Sequence, residues 1–150
     1  EEDRARFEER TKRLIEQYNA LTPRDLEGEE PPLHVNGALT LGENIGDLAG
    51  LSIAWQAYVS RLKEKGETPQ TAPAIDGLTA AQRFFTSWAR GWRTAIRREF
   101  AKQLLSIDPH SPAEFRCNQV VANMDSFAEA YDLAPDDALW IAPNERVRIW

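Results

Sequence analysis

Gly37-Ala38-Leu39-Thr40-Leu41-Gly42-Glu43-Asn44-Ile45-Gly46-Asp47 is the stretch on which the reading of this chain turns. It opens an apolar segment in which Glu43 and Asp47 are the only charged side chains between Leu41 and Ser60. A helix that is apolar on every side is normally buried. A buried carboxylate in turn needs a cation, a metal or several hydrogen-bond donors. Residues four apart share one helix face, so both acids address the same place. One could hold a metal while the other orients a neighbouring ligand, an arrangement suited to zinc hydrolysis.

Working outward, Thr40-x-x-Glu43 matches a capping box at the start of this helix. Leu48, Ser52, Trp55, Val59 and Leu62 mark its apolar stripe, and Lys63, Lys65 and Gly66 its end. Upstream, Asn36-Gly37 between short apolar runs signals a hairpin near residues 33–40. Before it, residues 22–32 form a polar loop rich in acids and Pro. Phe7, Leu14, Ile15 and Tyr18 predict an amphipathic helix over Glu1 to Leu21.

Downstream, residues 66–78 read as a loop and Thr79 caps a helix through Phe84, Phe85 and Trp88, interrupted at Gly91. Another helix spans about Thr94 to Ser106, its arginines, with Arg90 and Arg93, forming a solvated face. After a turn at 108–112, Ser111-x-x-Glu114 is a second capping box with Pro112 at the first helical position. Helical patterning runs on to Met124, a short helix covers Ser126 to Leu133, and an extended tail runs from about Ala138 to Trp150. The class is mainly α, without repeats or low-complexity tracts.

At 150 residues, with 42% hydrophobic and 28% charged side chains, the chain has the composition of a soluble globular protein. By length it is one domain. Its net charge of −6 argues against nucleic acid as a partner. A single cysteine, Cys117, excludes an internal disulfide and a thiolate zinc finger. Because the chain starts with Glu rather than Met, it is expected to be a processed or excised piece of a longer protein.

Gly37-x-Leu39-Thr40-Leu41-Gly42-Glu43-Asn44-Ile45-x-Asp47 resembles the third-ligand motif of the neprilysin family of zinc metalloendopeptidases. Asp108-x-His110-Ser111-Pro112-x-x-Phe115-Arg116 and Arg148-x-Trp150 resemble its C-terminal segments, and the similarity runs from Phe7-Glu8-x-Arg10-Thr11 and Gln17-Tyr18-Asn19 to the last residue. The resemblance implies the helical C-terminal part of a gluzincin-type catalytic domain acting on short peptides. It implies Glu43 as a zinc ligand and Asp47 as the acid that hydrogen-bonds a zinc-binding His. It further implies His110 as the side chain that steadies the oxyanion, and Arg116 and Arg148 as substrate-binding residues.

The His-Glu-x-x-His helix that supplies the family's other two ligands and its general base is absent from the sequence. Zinc is therefore expected in the complete enzyme and weakly or not at all in this chain, whose partner would be the upstream half of its own catalytic domain. Without that half, an exposed apolar face is expected to drive self-association. Paired cysteines of the animal ectoenzymes are not evident, which points to a bacterial member, cytoplasmic or exported. Gly46, where the family usually has Ala, costs about 1 kcal/mol as an interior helix glycine.

Taken singly, each residue has a plainer explanation. Glu43 reads as a capping side chain, Asp47 as half of a buried ion pair, His110 as a turn residue and Arg116 as half of a salt bridge. His34 reads as structural, Cys117 as a small buried hydrophobe, and Trp55, Tyr58, Phe84, Phe85, Trp88 and Trp92 as core or interdomain packing. On those readings the chain is a non-catalytic helical module that binds a partner. An upstream His-Glu-x-x-His helix would decide between the two.

Overall fold

The computed structural model describes residues 1–149, so the Trp150 of the Arg148-x-Trp150 resemblance lies outside the described residues. Among the described residues, six α-helices run in the order α1 (Glu2–Asn19), α2 (Leu41–Glu64), α3 (Ala80–Gly91), α4 (Arg98–Ile107), α5 (Ala113–Ala122) and α6 (Asp125–Ala130), with one 3₁₀ turn at Arg24–Leu26. The fold is mainly α, as the apolar periodicities imply.

Leu14 and Tyr18 of α1, Leu48 and Leu51 of α2, Phe85 of α3 and Val120 and Val121 of α5 meet in one core. Each fully buried side chain of this size contributes about 1.5–3 kcal/mol of transfer free energy. Trp55, Tyr58, Phe84 and Phe85 form a ring cluster with centroids 5.2–6.1 Å apart, the packing role expected of them. Val147 and Ile149 of the tail also enter the core. Side chains of α1 hold that tail from outside: Arg10 donates to the Ile149 carbonyl and Arg13 to that of Asn144. The tail is irregular, with turns at 138–139 and 143–145 rather than one extended run.

Several local expectations change. The 33–40 segment forms no hairpin; it is a turn leading into α2. Asn36 Oδ1 accepts from Leu39 N–H, and the Gly37 N–H donates to Asn19 Oδ1 at 2.8 Å. A Cβ on Gly37 would sit 2.4 Å from the Ile15 carbonyl oxygen. The Asn-Gly pair therefore serves a close approach to α1, not a strand reversal.

Neither expected capping box at the site forms. The Thr40 hydroxyl donates to the Asn36 carbonyl, and the Ser111 hydroxyl donates to Asn44; α5 begins at Ala113 with Pro112 as its cap residue. Thr79 does cap α3, in a reciprocal box with Gln82. The helix expected from Thr94 starts only at Arg98, because residues 93–97 are non-helical. The arginines there do not share a helix face, and Arg98 instead grips the 25–29 loop through Glu29 and the Asp25 carbonyl.

A further change concerns α2 itself. One of its faces is buried, through Asn44, Leu48, Leu51 and Leu62. The opposite face is open: Gly42, Gly46, Gly50 and Ala54 are exposed and Ile53 is 64% exposed. A Cβ built on any of those three glycines would meet nothing within 4 Å. Among the described residues, nothing covers this face.

Candidate functional site

Glu43 sits in the first turn of α2, where the unpaired N–H groups favour an acid. Its side chain is 47% exposed. The turn between α4 and α5 brings His110 over it, with Nε2 at 3.3 Å from Glu43 Oε2. Asp108 Oδ1 accepts the His110 backbone N–H at 2.9 Å and lies 2.7 Å from its Nδ1. These contacts, the backbone one foremost, hold the Asp108 carboxyl below its ordinary range. An ionised carboxylate only accepts, so the Nδ1 facing it carries the proton. Nε2 is left to face Glu43 and the solvent. Protonated, the ring donates to both carboxylates; neutral, it offers Nε2 as an acceptor.

One turn further along α2, Asp47 accepts two hydrogen bonds from Arg116 of α5, Nε to Oδ2 at 2.7 Å and Nη2 to Oδ1 at 2.8 Å. The pair is largely buried, the side chains 12% and 20% exposed. Bidentate pairing of this kind fixes orientation as well as charge. The Asp47 bonds push the Arg116 pKa above its ordinary value, against the opposing effect of burial. The Arg116 guanidinium also lies 4.4 Å from the centre of the Trp92 ring, a cation–π contact. Below the pair lies Tyr18, whose phenol is kept neutral first by burial and then by the Asp47 carboxylate.

Behind the two exposed side chains runs a chain of buried hydrogen bonds. Ser111 Oγ donates to Asn44 Oδ1 at 2.7 Å, Asn44 Nδ2 donates to Thr40 Oγ1 at 2.9 Å, and Thr40 Oγ1 donates to the Asn36 carbonyl at 3.1 Å. The 108–112 turn also borders a cleft of about 1010 Å³, lined by His110 together with Leu26, Trp92, Ile96, Phe100 and Leu104.

Four of the residues singled out from the sequence therefore come together: Glu43 with His110, and Asp47 with Arg116. The plain ion-pair explanations of Asp47 and Arg116 turn out to be one pair. Arg148 is not with them. It binds Asp125, which also accepts from Arg146, and lines a different groove with Ala49, Ser52 and Ile53. His34 is exposed and bonded to the Thr22 hydroxyl. Cys117 is half-buried, and desolvation raises its thiol pKa, as suits an inert residue. Sequence reasoning gave no role to Asp108, to Asn44 or to the stacking of Trp92 on Arg116, and read Ser111 only as a helix cap. An Asp two residues before a His, with Pro between, was the one legible signal.

Among the described residues, no group of three or more His, Cys, Asp and Glu is arranged to hold a metal ion. A catalytic zinc needs three protein ligands and an open position. Glu43 fits one of the three: it is a half-exposed carboxylate aimed away from the core, beside an uncovered helix face. No helix among the described residues is long and apolar enough to cross a membrane.

The sequence profile of peptidase family M13 matches residues 1–147. Neprilysin-1 of Caenorhabditis elegans is 37% identical over 146 residues, which is 97% of this chain and 18% of that protein. The neutral endopeptidase of Lactococcus lactis is 33% identical over 150 residues, all of this chain and 20% of that protein. The crystal structure of the zinc metalloprotease Zmp1 of Mycobacterium tuberculosis in complex with an inhibitor superposes with a TM-score of 0.94 at 56% identity, covering 100% of this chain and 22% of that one. The chain thus spans about a fifth of the length of these relatives.

Proposed function

This chain belongs to peptidase family M13, and from that premise we propose that it is the C-terminal part of the catalytic domain of a zinc endopeptidase acting on short peptides. Its partner is then the remainder of that domain, which supplies the other two zinc ligands and the general base. The glycine-lined face of α2 supports this reading. It flanks Glu43, it is open, and a helix backbone can approach it closely over Gly42, Gly46 and Gly50. The 56% identity with the mycobacterial protein supports a bacterial origin.

Bound zinc would polarise a peptide carbonyl and lower the pKa of its water towards 7. Glu43 would be the ligand this chain contributes. Asp47, clamped by Arg116, keeps a second lone pair on each oxygen and can accept from a zinc-binding His, fixing its tautomer. Protonated, with Nδ1–H held by Asp108, His110 presents an Nε2–H where it can donate to an oxyanion as charge develops. Arg116 holds the Asp47 carboxylate and would meet substrate carbonyl groups through its remaining N–H donors. Arg148, engaged with Asp125 on another groove, would reach only substrate bound at a distance from Glu43. The apolar cleft beside His110 supports substrates with hydrophobic side chains.

The observation that carries this reading is the pairing of Glu43 with His110 and of Asp47 with Arg116 on one side of α2. Elemental mass spectrometry tests it. The isolated chain should hold far less than one zinc per molecule, and the complete protein one, lost on Glu43→Ala. One zinc per isolated chain would refute the single-ligand account. A zinc-loaded complete protein that leaves peptides intact would refute the peptidase.

A further inference from the structure

Glu43 and His110 are both about half exposed, and their side chains meet at 3.3 Å. A solvent-exposed contact of that kind is too weak to hold two segments in register. Each residue, however, is followed in the chain by a buried polar one. Asn44 is 1% exposed and Ser111 4%, and the bond between them is 2.7 Å long. The Asn44 amide has no freedom to flip: its oxygen accepts from Ser111 while its nitrogen donates to Thr40, whose hydroxyl donates onward to the Asn36 carbonyl.

We propose that Asn44 and Ser111 are positioning residues whose buried hydrogen bond sets the register of the 108–112 turn on α2, and thereby places His110 over Glu43. The two helices do not need this bond to stay together, because Asp47 and Arg116 clamp α2 to α5 and the core is shared. The turn does need it. It lies between the end of α4 and Pro112, and Asp108 binds His110 only within the turn itself. A rotation of the turn would carry the Asp108–His110 pair away from Glu43 as a unit. Removing one partner of a buried hydrogen bond leaves a polar atom unpaired, and the turn can relieve that by moving into solvent. The register of the turn follows from these bonds alone, whereas its effect on catalysis rests on the peptidase reading above.

Two readouts test the halves separately. In the 150-residue chain, nuclear Overhauser effects between the His110 ring and the Glu43 side-chain methylenes report the juxtaposition without metal or peptide. They should be present in the wild type, lost in Ser111→Ala, restored in Ser111→Thr, and kept in Val121→Ala, a core variant that is destabilised without touching the turn. Persistence of the effects in Ser111→Ala would overturn the proposal, as would their loss in Val121→Ala.

In the complete zinc-loaded protein, Ser111→Ala should lower kcat by up to about 100-fold, the loss that a 1 Å misplacement can cause. KM and zinc content should hardly change, and Ser111→Thr should recover most of the rate. A kcat that falls only in step with zinc content or folded fraction would make Ser111 merely structural and overturn the proposal. Wild-type protein without activity would sink the peptidase reading instead, leaving the spectroscopic result to uphold or overturn the register.

Discussion

Replacing Arg116 with Met removes the guanidinium, keeps most of its aliphatic volume, and leaves Asp47 as an uncompensated carboxylate against Tyr18. Two charge-assisted hydrogen bonds at about 1.5–3 kcal/mol each and a stacking contact on Trp92 of about 0.5–2 kcal/mol set an upper range. These contributions overlap. Removing one member of a fully buried pair costs about 3–5 kcal/mol, and here the side chains remain 20% and 12% exposed. Water reaching Asp47 reduces the loss, so Arg116→Met should destabilise the chain by about 2–4 kcal/mol. For a chain of this length each kcal/mol lowers Tm by about 2–4 °C, so a decrease of about 6–12 °C is expected for a loss near the middle of that range.

Urea unfolding of wild type, Arg116→Met, Asp47→Asn and the double variant closes the cycle. The double variant should be more stable than the sum of the single losses implies, with a coupling above about 1 kcal/mol. Because the Arg116 pKa is raised, its stabilisation is fully present below the ordinary arginine value. The loss should therefore be constant from about pH 6 to pH 9. A loss under about 0.5 kcal/mol, typical of exposed ion pairs, together with a coupling near zero, would refute the clamp.

Three further outcomes follow from the same structure. Gly50→Ala should stabilise the isolated chain by about 0.5–1 kcal/mol, since an interior helix glycine is replaced where nothing obstructs a Cβ; a decrease in thermal stability would show that the face is covered. The open α2 face should make the isolated chain associate in light scattering at high concentration, and Ile53→Lys should return it to monomer; a monodisperse monomer at all concentrations would rule this out. Finally, Asp108 and Glu29 have lowered pKa values, Asp108 through His110 and Glu29 through Lys102 and Arg98. Their stabilisation is present above the ordinary carboxylate range and lost as pH falls through the lowered values, below about pH 4. Asp108→Asn and Glu29→Gln should each flatten that acid limb of the unfolding free energy, and an unchanged slope would exclude the assigned contacts.

The sequence by itself determined the helical class, the existence of α1, α2, α3 and α5, and the two acids at the head of α2, because each rests on spacing within one element. Leu48, Ser52, Trp55, Val59 and Leu62 recur at helical intervals, and the cap that Thr79 forms needs only its own first turn. It also supplied Glu43, Asp47, His110 and Arg116 as motif residues. Their pairing was out of reach, since Asp47 and Arg116 are 69 positions apart and only the packing of α5 on α2 joins them. The same tertiary demand overrode local signals. Thr40 and Ser111 carry the pattern of capping residues, yet their hydroxyls serve the buried chain through Asn44. A partner that satisfies a buried amide outweighs a cap that water could replace. Asn36-Gly37 reads as a hairpin until α1 is set beside it, where only glycine fits against the Ile15 carbonyl. Which face of α2 stays open was likewise decided by packing: an evenly apolar helix carries no mark of the side its own chain leaves uncovered.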